Sequence, residues 1–160
     1  MGFLKLLKGT KLRDNAEEFG LIYRSKAPYE VLQTNSITYE ELAKLKGIAF
    51  LVEKYYNSGK FKKALKYLLS LYNEPFDFYE SYYDYWDKNN LLYRRYSLNN
   101  LYDILNNCAK SQKIVDSELF IDYLKFDYMY NTDNRAYPVC LKGNGLKIPD
   151  DIKSLIHNVD

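Results

Sequence analysis

The sequence predicts an all-α protein: a compact bundle of about five to six helices preceded by a short extended segment. From Thr38 onward, apolar residues recur three and four positions apart, which places them on one face of a helix. Proline, glycine and short polar residues interrupt this spacing where helices should begin and end. Hydrophobic residues make up 47% of the 160, which is enough to bury a core.

The first helix of the bundle has the clearest predicted limits. Thr38 followed by Glu41 is typical of a capping box, so the helix should begin just after Thr38. The turn Asn57-Ser58-Gly59 should end it, because glycine tolerates the left-handed conformation that closes a helix. A second helix restarts at Lys60, and so short a connection predicts an antiparallel pair. The predicted core stripe of the first helix is Leu42, Leu45, Ala49, Val52 and Tyr56.

The later helices are predicted from their stripes and caps. The second helix carries Phe61, Leu65, Leu68 and Tyr72. The third begins at Pro75, ends near Asn89-Asn90, and carries Phe76, Tyr79, Tyr83 and Trp86. The fourth, capped by Ser97, carries Leu98, Leu101, Leu105 and Cys108. The fifth, capped by Asp116 or Ser117, carries Leu119, Tyr123, Phe126 and Tyr130. A loop over Asn131 to Lys147 and a last short helix over Asp150 to His157 complete the prediction.

Before residue 35 the pattern differs. Phe3 to Leu7 is a short apolar strand in this interpretation, and Arg13 to Phe19 a short helix closed by Gly20. Leu21 to Thr34 should be extended, with a little β pairing. A single strand without a sheet exposes its edge, so we expect these residues to come from a larger protein.

Charge and composition exclude several classes of protein. The 23 basic and 21 acidic residues give a net charge of +2, too balanced for a dedicated nucleic-acid binder. No apolar run reaches the roughly 18 residues of a membrane span, and lysines interrupt the N-terminus where a signal peptide would be apolar. We therefore expect a cytoplasmic protein. Eighteen tyrosines suit a helical core whose rings pack while their hydroxyls stay hydrated.

Three segments resemble one protein family. They are Gly2 to Leu32, the corner YYNSGKF at Tyr55 to Phe61, and FDY at Phe126 to Tyr128. As a set they look like the C-terminal helical domain, itself of unknown function, of cobalamin-binding radical SAM proteins. The first segment is similar to the end of the radical SAM barrel of those proteins. The resemblance divides the chain into a barrel-end remnant with an extended connection, residues 1–34, and a helical C-terminal domain, residues 35–160.

The resemblance implies a non-catalytic accessory domain of a larger enzyme. The intact parent would bind an iron–sulfur cluster, S-adenosylmethionine and cobalamin. Its barrel and its cobalamin-binding domain would be the partners of this chain, which would cover or shape the barrel or recruit another protein. Such a piece should expose apolar side chains around Phe3, Leu4, Leu6 and Leu7, or hide them by self-association.

This chain is not expected to hold those cofactors or to be an enzyme alone. A radical SAM cluster needs three closely spaced cysteines, whereas Cys108 and Cys140 lie far apart. The histidine that approaches cobalt in the family stands in Asp-x-His-x-x-Gly, and His157 lacks that context. We predict no catalytic, cofactor-binding or metal-binding residue. Cys108 should pack in the core, and a disulfide is disfavoured in a reducing compartment.

Three polar surfaces leave alternatives open. Asp77, Glu80, Asp84 and Asp87 share one helix face, which suits a small enzyme or a metal site but is more simply a solvated face. An independent module could bind protein or RNA through its basic residues, which are Lys60, Lys62, Lys63, Lys66, Arg94 and Arg95, the last two between Tyr93 and Tyr96. Asn57 and Ser58 suit capping of the corner or contact with the absent barrel.

Overall fold

Capping groups and apolar spacing produce six α-helices in the residues that the computed structural model describes, which are 2–113, 115–132 and 136–142. Helices hold 57% of these described residues, so the all-α prediction is confirmed. The contacts between residues divide the protein into two compact units, one ending at Phe50 and the other beginning at Leu51. The predicted division after residue 34 remains a prediction based on resemblance.

The first unit is small and contains the extended elements. Helix α1 spans Lys11–Asp14, and strands β1 (Ile22–Tyr23) and β2 (Val31–Gln33) pair antiparallel. Its core is a cluster of buried apolar side chains with half-buried ones packed against them: Leu6, Ala16 and Val31, then Leu12, Leu21 and Tyr23. The expected β pairing within residues 21–34 is therefore confirmed.

Two predictions for the N-terminal residues were wrong in detail. Phe3 to Leu7 do not form a regular strand, since Lys5 makes only an isolated antiparallel bridge with Glu30. The helix expected over Arg13 to Phe19 lies instead at Lys11–Asp14. The chain then turns down to Gly20, whose φ of +58° is in the left-handed region.

The capping box of helix α2, Tyr39–Val52, is confirmed. The backbone N–H of Thr38 donates to Glu41 Oε2 at 2.8 Å, and the N–H of Glu41 donates to Thr38 Oγ1 at 3.2 Å. Hydrogen bonds from Thr38 also lower the pKa of the Glu41 carboxyl. The helix continues as a π-helical turn, Glu53–Asn57, and Gly59 ends it with φ +68°.

The predicted stripe of this helix was wrong. Ile48, Leu51 and Tyr55 are buried, whereas Tyr56 is 61% exposed. Both sets have helical spacing, because the sequence is apolar around most of the helix circumference. Spacing alone therefore could not decide which face turns inward.

The second unit continues with helices α3 (Lys62–Ser70), α4 (Pro75–Lys88), α5 (Leu98–Ser111) and α6 (Ser117–Asn131), then a 3₁₀ turn at Val139–Leu141. Pro75 opens α4 as predicted. Ser97 caps α5 by accepting the N–H of Asn100. Asp116, and not Ser117, caps α6 by accepting the N–H groups of Glu118 and Leu119.

The stripes of these helices divide into two groups. Those predicted for α3 and α5 are largely confirmed, with Phe61, Leu65, Leu68, Leu105 and Cys108 buried. On the aromatic-rich α4, Tyr79 and Trp86 are buried as predicted, but Phe78 and Tyr82 are buried in place of Phe76 and Tyr83. The stripe predicted for α6 was wrong, because the buried apolar residues there are Phe120, Ile121, Leu124 and Tyr128. Of the two predicted sets, Phe76 and Tyr130 are exposed.

The predicted loop after residue 131 begins one residue later than expected, because Asn131 ends α6. Its described part contains the 3₁₀ turn. The predicted last helix, Asp150 to His157, lies outside the described residues. No helix in the described part of the chain is both long and apolar enough to cross a bilayer.

The capping box predicts a local loss of stability. We expect Thr38→Ala to lower the free energy of unfolding by about 1 kcal/mol, because it leaves the amide of Glu41 without its side-chain acceptor. Thr38→Ser keeps the acceptor and should stay close to the wild type. Urea unfolding followed by circular dichroism measures both. Equal stability of the alanine and serine variants would show that the box does not hold this end of α2.

Candidate functional site

Two of the three segments that carry the resemblance meet at the start of α3. The side chain of Asp127, in α6, accepts the backbone N–H of Lys63 through Oδ1 at 3.1 Å and that of Ala64 through Oδ2 at 2.9 Å. These amides lie in the first helical turn, where the helix itself supplies no acceptor. A residue 63 positions along the chain from Ala64 therefore caps α3.

The carbonyl group of Lys60 is held at the same corner. Tyr102 Oη, from α5, donates to it at 2.7 Å, and Asn131 Nδ2, from α6, donates at 3.3 Å. Ser58 Oγ donates to the carbonyl of Tyr55 at 3.1 Å, which confirms the capping interpretation for this residue. Polar groups from two helices, α5 and α6, thus fix the corner.

Aromatic packing holds the same corner from inside. Phe61 is fully buried, and its ring lies 4.5 Å from that of Tyr102 and 4.8 Å from that of Tyr55. Tyr55 in turn contacts the rings of Tyr82 and Trp86. The YYNSGKF segment is therefore built into the core through Tyr55 and Phe61, while its Tyr56 faces outward.

The expectation of hydrated tyrosine hydroxyls was wrong for three buried tyrosines, Tyr55, Tyr102 and Tyr128, whose hydroxyls bond to protein groups. Tyr55 Oη donates to the carbonyl of Leu101 at 3.1 Å, and Tyr128 Oη lies 2.9 Å from the carbonyl oxygen of Ala136. A hydroxyl taken out of water needs such a protein partner. Burial also raises the pKa of Tyr55 and Tyr102. These hydroxyls are structural donors.

Asp127 is the most perturbed carboxyl of the corner. Burial raises its pKa from 3.8 to about 6, against the opposing effect of the N–H groups of Ala64 and Lys63. A carboxyl with such a pKa can act in acid–base catalysis elsewhere. Here both oxygens are engaged by backbone amides and the residue is buried, so its chemistry is that of a cap.

The two cysteines are free thiols. Cys108 is buried in the core as predicted, and burial raises its pKa to about 12. Cys140 is half-buried; burial and the neighbouring Asp103 raise its pKa. Because the thiolate is the reactive form, both are poor nucleophiles at neutral pH. His157 lies outside the described residues.

The acidic face of α4 is solvated in the way the simpler interpretation expects. Asp77, Asp84 and Asp87 are exposed, and Glu80 is half-buried. Within the described residues, no group of three or more histidine, cysteine, aspartate or glutamate side chains could hold a metal ion. The enzyme alternative required carboxylates converging in a deep pocket, and this face offers no such arrangement.

The basic candidates occupy two places. Lys62 and Lys66 line an open groove of about 740 Å³ between the corner and α3, with Tyr56, Asn57, Gly59, Leu65 and Leu69. Near Arg94 and Arg95, Tyr93 is exposed, but Tyr96 is edge-on to Trp86 and donates to the carbonyl of Leu91. The two tyrosines therefore do not form a paired stacking surface.

Sequence reasoning noticed the FDY segment but missed its role. Asp127, Tyr102 and Asn131 all converge on residues 60–64, yet each lies at least 42 positions along the chain from the residue that it contacts. A weak local signal existed, because α3 has no acidic residue in its own first turn. A helix of that kind has to obtain its cap from another element or from water.

Asp127 predicts a characteristic pH dependence. Its folded-state pKa lies above the ordinary value of 3.8, so the pH-dependent part of its stabilisation is full below about pH 4 and is lost as the pH rises through about 6, where the ionised carboxylate still accepts the two amides. In Asp127→Asn this part of the pH profile should be flat. Urea unfolding of both proteins between those pH values measures the difference. The exposed Asp87→Asn should keep the wild-type profile.

The alanine variant tests the cap itself. Asp127→Ala leaves two buried amides without their acceptor, so we expect a loss of about 1–3 kcal/mol in the free energy of unfolding. Asparagine retains one acceptor oxygen and should lose less at neutral pH. A neutral effect of alanine would contradict the assignment of Asp127 as the cap of α3.

Comparison with known proteins identifies a family and no closer relative. No curated protein and no solved structure matches the chain significantly. One family model, described as "Protein of unknown function (DUF4080)", matches residues 17–159 and so includes both the corner and Asp127. The chain therefore belongs to the DUF4080 family.

Proposed function

We propose that this chain is an accessory domain of a cobalamin-binding radical SAM enzyme and docks against the barrel of that enzyme through its N-terminal residues. In this proposal, the parent binds the iron–sulfur cluster, S-adenosylmethionine and cobalamin. The helical domain covers or shapes the barrel, and its own side chains hold none of these cofactors.

The resemblance of three segments is the first support. Two of them form one structural unit, because Asp127 of FDY caps the helix that follows YYNSGKF. Segments that resemble the family only by chance would not be expected to lie at the start of the same helix. The third segment, Gly2 to Leu32, forms most of the first unit.

The single observation that carries the docking proposal is the open edge at Lys5. The N–H of Leu6 donates to the carbonyl of Tyr29, and the N–H of Val31 donates to the carbonyl of Leu4, both at 2.9 Å. In an antiparallel bridge of this kind, the N–H and C=O of Lys5 itself point to the opposite edge. That edge can accept another strand.

Apolar side chains accompany the open edge. Leu4 is 49% exposed and Leu7 is 55% exposed, whereas Leu6 between them is fully buried. Of the four residues expected in the apolar patch, Leu4 and Leu7 are exposed, Phe3 is half-buried and Leu6 is buried. Backbone donors beside exposed leucines suit the pairing of this segment with a barrel strand, which would cover both.

The amide of Lys5 tests the proposal. In the isolated chain it should exchange with solvent at close to its intrinsic rate, while the hydrogen-bonded amide of Leu6 should exchange at least about tenfold more slowly. In the intact parent, expressed from the complete reading frame, both should be protected. Residue-resolved hydrogen exchange of the two proteins makes the comparison, with Leu6 as the internal control.

A matched pair of variants separates docking from general surface effects. Leu4→Asp with Leu7→Asp should leave the isolated chain folded but weaken its docking in the parent, so that the Lys5 amide loses its protection there. Phe76→Asp with Met129→Asp changes two side chains of similar exposure in the second unit. This control should leave the protection of the Lys5 amide in the parent unchanged. An unprotected Lys5 in the parent, or an upstream frame without a C-x-x-x-C-x-x-C motif, would refute the proposal.

The second candidate function is an independent helical module that binds another macromolecule. The groove beside Lys62 and Lys66 favours it, because this surface lies in the second unit and does not require a barrel. A module of this kind predicts binding by the isolated chain, with Lys5 equally exposed in every context.

A further inference from the structure

The groove between the helical corner and α3 has walls of two kinds. Leu65 and Leu69 form an apolar row on α3, and the ring of Tyr56, 61% exposed, faces solvent from the corner. Beside the leucine row, Lys62 and Lys66 stand four residues apart on the exposed side of α3. Residues at this spacing are neighbours on a helix, roughly 5–6 Å apart at Cβ.

Within the described residues, the charge of the groove is only partly balanced, because Lys62 lies close enough to the Asp127 carboxylate for its charge to lower the pKa of that group. Neither Lys62 nor Lys66 makes an ion pair there. Glu53, the acidic residue of the π-helical turn before the corner, accepts Asn57 Nδ2 through its Oε2 at 2.5 Å. Lysine in the first turn is also unfavourable for α3, because the N-terminal end of a helix dipole is positive. The Asp127 carboxylate accounts in part for Lys62, whereas no ion pair within the described residues accounts for Lys66.

We propose that this groove binds an acidic, partly apolar peptide segment of a partner protein. Two carboxylates of the segment, one helical turn apart, would pair with Lys62 and Lys66. Apolar side chains between them would cover Leu69 and the ring of Tyr56. This inference deepens the second candidate function and does not depend on docking of the N-terminal edge.

The composition of the groove favours a peptide over RNA. Single-stranded nucleic acid is held by a row of aromatic rings beside a track of positive charges. The groove offers one ring, Tyr56, and two cations. Lys63 is half-buried near the Asp127 cap, so it does not extend the track. An apolar row flanked by cations complements a segment with both aliphatic and acidic residues.

The test begins with a selection on the full chain. A phage-displayed library of random peptides of about 16 residues, long enough for about four helical turns, is selected on the immobilised protein. The enriched peptides should carry at least two acidic residues together with aliphatic or aromatic ones. Their dissociation constants are then measured by isothermal titration calorimetry against the wild type and two variants.

The variants locate the binding. Lys62→Gln with Lys66→Gln should weaken binding about tenfold or more, the effect of losing two charge-assisted contacts. Lys88→Gln with Lys110→Gln removes the same charge from exposed positions on α4 and α5 and should leave the affinity unchanged. Circular dichroism checks that both double variants remain folded. Raising the salt concentration should weaken binding to the wild type more than to the groove variant.

Three results would overturn the inference. Peptides that bind the Lys62→Gln, Lys66→Gln variant as tightly as the wild type would place binding elsewhere and leave only a general interaction module. Failure to enrich any peptide would remove the groove as a peptide site, while the Lys5 exchange experiment would still decide the docking proposal. The third result is that oligouridylate displaces an enriched acidic peptide from the wild type and does not bind the Lys62→Gln, Lys66→Gln variant. That result would assign the groove to RNA.

Discussion

The carboxylate of Asp127 at the start of α3 is the contact on which the second unit depends. Burying a carboxylate is unfavourable by itself, as its raised pKa shows. Two backbone N–H groups and the positive end of the α3 dipole reduce that cost. Because α3 begins with Lys62 and Lys63 and has no acid in its first turn, the helix cannot supply this cap itself.

The corner explains why the distinctive sequence motifs lie inward. Tyr55 and Phe61 fill the core, Asp127 caps, and Tyr102 binds the carbonyl of Lys60. Because these side chains hold the fold together, a partner would have to bind surfaces that face outward. Two such surfaces stand out: the edge at Lys5 in the first unit and the groove beside Lys62 in the second. The first suits a sheet, and the second suits a charged peptide.

Local interactions were predictable from sequence and tertiary ones were not. The caps formed by Thr38 and Ser97 were recognised, and the cap of α6 was narrowed to Asp116 or Ser117, because each cap bonds a residue within three positions. The start of α3 was placed two residues early, because its cap lies in another helix. Core faces were predictable on α3, where polar and apolar residues separate. On α4 and α6, aromatic residues surround the helix and several faces fit equally well.

The carboxyl ¹³C resonance of Asp127, followed by NMR as the pH changes, tests the central contact most directly. We predict a midpoint near pH 6, with the amide resonances of Lys63 and Ala64 shifting over the same range. A midpoint near the ordinary value of 3.8, with both amides indifferent to it, would mean that Asp127 is hydrated and that the two segments do not meet.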